Sequence, residues 1–211
     1  MNNNTYIVWD TETTGLHIGY HEVIQIAAKA YNPKTLEPIP NGEFQIFLKP
    51  DHPEHAEEYV VNNVIGKDVF EKVKKDGIDQ RVGWKAFFDW CKTFNKTGHG
   101  SNKPIPVGHN MPGFDMLWAH DAVVRYKYGK SSEDLPLSNR ALDTWAMFFS
   151  LYESDPEVKS YSMDSLVTVT GGAARSKKEH DAMEDVRICG DRFVRFMKMY
   201  RTVKTKLKIR E

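Results

Sequence analysis

The chain has 211 residues, with 29 Lys plus Arg balanced by 29 Asp plus Glu. That length suits one α/β domain able to bury most of its surface without disulfide staples, and zero net charge excludes a whole-protein field that draws in polyanions. Cys91 and Cys189 lie far apart with no CxxC partner, which excludes a cysteine zinc site and fits a reducing compartment.

In chain order, Tyr6 to Trp9 is a nearly continuous apolar run and reads as a buried central strand. Val23 to Tyr31 partly alternates and reads as a second strand, ended by Asn32-Pro33; Glu43 to Leu48 alternates up to Pro50 and reads as a third. Glu57 to Val64 reads as a short helix. Val82 to Phe94 carries Val82, Phe87, Trp90 and Phe94 at helical spacing and predicts an amphipathic helix. Ile105 to Gly108 is a short fourth strand, and a helix follows over Phe114 to Tyr128 with Pro112 near its start. Ala141-Leu142 predicts a fifth strand, with Asp143 or Thr144 capping a helix through Leu151. Ser162 to Val169 predicts a helix stopped by Gly171-Gly172. The last long helix spans Asp181 to Tyr200, with Val186, Cys189, Phe193, Phe196, Met197 and Tyr200 as its apolar stripe. Three sequential strands followed by alternation predict an α/β fold with a mixed sheet flanked by helices.

No apolar run approaches the ~20 residues of a membrane span. The start, MNNNTYIVWD, has no basic region with a long apolar run behind it. The expectation is a cytoplasmic, intracellular protein with no membrane contact. Charge is nonetheless uneven: Lys198, Arg201, Lys204, Lys206, Lys208 and Arg210 crowd the end of the chain, and Arg175, Lys177 and Lys178 form a second cluster.

Three segments carry the chemistry. Asp10-Thr11-Glu12-Thr13-Thr14-Gly15 follows the first strand directly. Residues i and i+2 of an extended chain share a face, so Asp10 and Glu12 project together while Thr11 points away. Two carboxylates held side by side near a core repel unless a proton or a cation relieves them, and hard oxygen donors suit Mg²⁺ or Mn²⁺. The plainer reading is a surface turn, since Thr-Thr-Gly is good turn chemistry. Gly108-His109-Asn110-Met111-Pro112-Gly113-Phe114-Asp115 joins the fourth strand to a helix. Alone, Asp115 reads as a first-turn acid favoured by the helix dipole. His180-Asp181-Ala182-Met183-Glu184-Asp185 heads the last helix. Ala182 is small enough for close packing, Asp185 can turn inward, and His180 is suited to taking a proton from water. Alone, this segment reads as a capping histidine with a solvent-facing aspartate.

Together the segments resemble, in order and spacing, the three motifs of the DEDD exonuclease superfamily, which includes the proofreading epsilon subunit of bacterial replicative polymerase, ribonuclease T and oligoribonuclease. Asp10 and Glu12 match the first motif, Asp115 the second and Asp185 the third. A histidine five residues before Asp185 matches the histidine branch, DEDDh; the tyrosine branch would carry Tyr where this chain has Asp181. The resemblance covers about residues 5 to 200. It implies a ribonuclease H-like fold, with residues 1–200 as one exonuclease domain and 201–211 as a basic C-terminal tail. It implies two divalent ions, Mg²⁺ or Mn²⁺, with Asp10 bridging both, Glu12 and Asp185 completing one and Asp115 holding the other. His180 would be the general base. Thr13 and Leu16 would touch the terminal nucleotide, Phe114 would line its pocket and Asn110 would help orient it. Arg175 and Lys178, just before His180, are expected to clamp phosphate.

The implied activity is 3′–5′ hydrolysis of single-stranded nucleic acid, DNA or RNA, releasing nucleoside 5′-monophosphates. Alternatives are a proofreading or processing module that works with a polymerase or other replication or repair partner, and a non-catalytic nucleic-acid binder. The complete set of five catalytic residues speaks against the last. Other signals fall away. Gly129-Lys130-Ser131 lacks the upstream glycine of a phosphate-binding loop. The pairs His17/His21 and His52/His55 lack cysteine partners and read as polar loop residues. Asp143 reads as a cap, and Trp9, Trp84, Trp90, Trp118 and Trp145 read as core.

Overall fold

A computed structural model describes residues 4–95, 102–171 and 180–207. Strand β1 (Tyr6–Thr13) is buried along its length except at half-buried Asp10, as its apolar sequence requires. It lies at the centre of a five-stranded sheet of order β3-β2-β1-β4-β5. Strands β2 (Val23–Tyr31) and β3 (Pro38–Phe47) run antiparallel to their neighbours, whereas β4 (Ile105–Gly108) and β5 (Leu142–Asp143) are parallel to theirs. The mixed α/β sheet expected from the sequence is therefore present.

The alternation of β1 divides the core into two layers. Ile7 and Trp9 face α3 (Gln80–Lys92) and α4 (Asp115–Arg125), among Trp84, Phe87, Phe88 and Trp118. Tyr6 and Val8 face α5 (Thr144–Tyr152), α6 (Met163–Thr170) and α7 (Ala182–Lys206), among Phe148, Leu166, Val186 and Phe193. Each fully buried large side chain contributes roughly 1.5–3 kcal/mol.

Several boundaries differ from the sequence reading. Helix α2 (Lys67–Asp76) was not expected, because KDVFEKVKKD offers only Phe70 and Val73 to the core. The segment before it is α1 (Glu58–Val60), running on into a wider turn over Val61–Ile65. In α3, Val82 is exposed rather than on the apolar stripe; Trp84 and Phe88 take the buried face with Phe87. Trp145 is 39% exposed and stacks on Phe149, so it is not core, whereas Trp9, Trp84 and Trp118 are buried. Helix α7 continues past Tyr200 to Lys206, which puts Arg201 and Lys204 on helix. No helix among the described residues is long and apolar enough to cross a membrane.

Candidate active site

β1 delivers Asp10 and Glu12 to the edge of the sheet. Both continue the Tyr6/Val8 row toward α7, and a register shift between Glu12 and Thr13 interrupts the ladder before its last pair, Thr13 with Val23. Thr11 falls on the opposite row, the α4 side. It does not point into empty space: its amide and its hydroxyl both donate to Asp115 Oδ1, at 3.0 and 2.7 Å. Asp115 opens α4 and is buried. Burial pushes its carboxyl up to about 7, against the pull of the two bonds from Thr11.

β4 brings the second motif in beside the first. Because β4 runs parallel to β1, its last residue, Gly108, ends near the end of β1; a Cβ on Gly108 would lie 2.2 Å from Met111 Cε and 3.2 Å from the Trp9 carbonyl. The chain turns through Asn110, whose φ of 60° is left-handed. Asp143 stabilises that turn from β5, accepting from Asn110 N at 2.8 Å and from Trp145 N at 2.9 Å as the cap of α5. Asp143 is thus the cap the sequence suggested.

The third motif is docked by Gln25, the residue paired with Glu12 across the sheet. Gln25 Nε2 donates to Asp181 Oδ2 at 3.2 Å, and Ala182 N donates to Gln25 Oε1 at 3.3 Å. Asp181 caps α7 by accepting from Met183 N and Glu184 N. One turn in, Asp185 is buried. His180 N donates to the Val64 carbonyl at 2.7 Å, and His180 Nδ1 lies 3.5 Å from Asp185 Oδ2.

The result is one cleft of about 350 Å³ lined by all five expected catalytic residues, Asp10, Glu12, Asp115, His180 and Asp185. One ligand atom each from Glu12, His180 and Asp185 lies within 4.8 Å of the others. Three buried carboxyl groups in one cleft are unfavourable as bare anions, and the donor set of carboxylate oxygens beside one imidazole fits a divalent cation. Thr13, Leu16, Asn110 and Phe114 line the same cleft. Leu16 is 68% exposed on the rim, while Thr13 is buried with its hydroxyl donating to the Gly15 carbonyl at 2.8 Å. Arg175 and Lys178 lie outside the described residues.

Against known proteins, the sequence profile of a family described as exonuclease, of the ribonuclease T type, matches residues 7–193. The chain belongs to this exonuclease family, within the DEDD superfamily. Among curated relatives, the chain is 27% identical over 200 residues to the PolC-type DNA polymerase III of Streptococcus pneumoniae, covering 94% of this chain and 11% of that protein. It is 25% identical over 170 residues to the corresponding Mycoplasma pneumoniae polymerase, covering 79% of this chain and 10% of the relative. The chain thus spans about a tenth of the length of these relatives. Among solved structures, E. coli exonuclease I in complex with a dT13 oligonucleotide superposes with a TM-score of 0.69 at 17% identity, over 97% of this chain and 42% of that one. This match establishes the ribonuclease H-like fold.

Four residues that shape the site escaped the sequence reading. Thr11 was assigned away from the chemistry, although strand alternation places it on the face where α4 packs. Gln25 and Thr14 act from within the fold; Thr14 is buried, and its hydroxyl accepts from Glu22 N at 2.9 Å. His109 ties the end of β4 to the segment before α6, with Nε2 2.9 Å from the Tyr161 carbonyl. Thr11, Thr14 and His109 lay inside recognised motifs without being singled out; Gln25 lay outside all three.

Proposed function

We propose that the protein is a metal-dependent 3′–5′ exonuclease that hydrolyses phosphodiester bonds at the 3′ end of single-stranded nucleic acid and releases nucleoside 5′-monophosphates. The observation that carries this reading is the convergence of Asp10, Glu12, Asp115, Asp185 and His180 in one cleft at the end of β1. Asp10, Glu12, Asp115 and Asp185 would hold two divalent ions, Mg²⁺ or Mn²⁺. Such ions, when bound, lower the pKa of water and stabilise charge on the phosphate and the departing oxygen.

The chain's own side chains do the rest. His180 is the general base: with Nδ1 facing the Asp185 carboxylate, Nε2 is the nitrogen that takes the proton of the attacking water. His180 is held in place through its backbone by Val64, and Asp185 through the cap of α7. Leu16 and Phe114 offer apolar surface to the terminal nucleotide. Thr13, locked onto Gly15, and Asn110, locked by Asp143, set the walls. Arg175 and Lys178 supply positive charge to the phosphate. A cleft open at its rim suits a flexible single strand better than a stacked duplex end.

Single-stranded DNA is the favoured substrate, on the likeness to exonuclease I, whose structures include a complex with single-stranded DNA, and to PolC-type polymerases. That second likeness also favours a replication or repair setting with a polymerase partner, and an intracellular location. End-labelled single-stranded DNA and RNA incubated with Mg²⁺, Mn²⁺ or EDTA test the reading together. A ladder shortening from the 3′ end only with metal is expected; shortening from the 5′ end, or degradation that persists in EDTA, refutes it.

A further inference from the structure

A second set of metal-ligating side chains lies outside the cleft, on the short turn after β3. One ligand atom each from His52, Glu54 and His55 lies within 4.8 Å of the others. This turn is built on a firm base. Pro53 opens it, and His55 N donates to the His52 carbonyl at 3.0 Å. Its entry is tied to a buried carboxylate, because Asp51 N and His52 N donate to the two oxygens of Glu22 at 3.1 and 2.7 Å.

The rings are oriented as well. The two imidazoles lie 5.0 Å apart and 18° from parallel, and Tyr20 stacks on His55 at 4.1 Å and 11°. His55 Nδ1 lies 3.0 Å from the Tyr20 carbonyl. A carbonyl only accepts, so Nδ1 carries the proton and Nε2 carries the lone pair. A histidine whose one nitrogen donates to a backbone carbonyl is in the tautomer that metal-bound histidines adopt. His52 Nδ1 is 3.3 Å from Glu54 Oε1, a separation at which both atoms can reach one ion at ordinary ligand distances.

We propose that His52, Glu54 and His55 form a binding site for a borderline divalent transition metal, Zn²⁺ in the first place, separate from the carboxylate cleft. Two imidazoles and one carboxylate suit Zn²⁺, Ni²⁺ or Cu²⁺ rather than Mg²⁺, and three protein ligands leave a tetrahedral ion one position for water. The bound ion fastens the turn to Tyr20, and through Tyr20 to the loop that carries Leu16 out of β1.

Calorimetric titration of the full chain with Zn²⁺ tests this in an Asp10→Asn, Asp185→Asn background, which disables the cleft. One equivalent of Zn²⁺ is expected to bind. His55→Ala and His52→Asn, each made in that background and each retaining the parent circular dichroism spectrum, are expected to weaken it by about tenfold or more. Unchanged Zn²⁺ affinity in both variants, or no Zn²⁺ bound in the background protein, overturns the proposal.

Discussion

Thr11→Val isolates the interaction that holds Asp115. Valine keeps the size and branching of threonine and leaves the amide bond to Asp115 intact, but it deletes the 2.7 Å hydroxyl bond. A hydrogen bond to a charged partner is worth about 1.5–3 kcal/mol and one to the neutral acid about 1 kcal/mol, and the difference corresponds to up to about 1.5 pKa units. Asp115, already raised to about 7 by burial, is then pushed further up. A carboxylate that must be ionised to serve the site is then ionised in a smaller share of the variant than of the parent near neutral pH. The acid limb of kcat/KM against pH, measured on an end-labelled single-stranded oligonucleotide in saturating Mg²⁺, should move to higher pH by up to about 1.5 units, with activity recovering at high pH. Stability offers a second readout in EDTA. Folding raises the Asp115 pKa from about 3.9, so between that value and about 7 the folded state binds more protons than the unfolded. Its contribution therefore lowers stability as pH rises through that window, by at most about 4 kcal/mol. The variant loses a neutral bond below the window, about 1 kcal/mol, and a charged one above it, so its deficit in urea melts should grow with pH. An acid limb that coincides with the parent's, with activity depressed equally at every pH, would refute the reasoning.

Asp185→Asn should reduce turnover to background and remove most Mn²⁺ binding in calorimetry, because a buried ligand is neutralised without loss of volume. His180→Ala should lower kcat by about 10²–10⁴-fold while Mn²⁺ binding persists; parallel loss of metal affinity would make His180 a ligand rather than a base, which its closeness to Glu12 and Asp185 allows. Leu16→Ala should raise KM several-fold, for about 1 kcal/mol of lost apolar contact, and leave the melting temperature unchanged because Leu16 is exposed. Asp181→Ala removes the cap of α7 and the bond from Gln25, and should cost about 0.5–2 kcal/mol in stability together with a fall in kcat as His180 and Asp185 lose their common anchor.

Periodicity made much of this fold legible. β1, β2 and the stripe of α7 follow directly from runs and spacings, since each buries a face set by its own local sequence. Helix α2 did not, because two apolar residues in KDVFEKVKKD cannot announce a helix whose stability comes from docking against Ile24 and Ile65. Val82 misled for the opposite reason: its spacing fits the stripe of α3, but the sheet accepts Trp84, Phe87 and Phe88, and the larger side chains decide the rotation of the helix. In the site, Asp10 and Glu12 stood out at the end of an apolar strand, whereas Asp115 and Asp185 stood out only through the order and spacing of the three motifs. Thr11, Gln25 and Thr14 did not, because a hydroxyl or an amide becomes functional only through the partner it meets, and those partners lie up to 157 positions away.

Three separate causes bring the acids to one place. The alternation of β1 alone puts Asp10 and Glu12 on one row and Thr11 on the other. The parallel pairing of β4 with β1, Val8 against Val107, means that the two strands end on the same side of the sheet, so the chain leaving Gly108 must start α4 there, and Thr11 closes on Asp115. Antiparallel β2 contributes differently: its Gln25 stands opposite Glu12 and uses both ends of its amide to seat the first residues of α7. A shift of two residues in the β1–β2 register would keep every hydrophobic residue facing the same layer and would still carry Gln25 away from Asp181. The core therefore tolerates registers that the cleft does not, and Gln25 is the residue that ties the sheet's register to the position of His180 and Asp185.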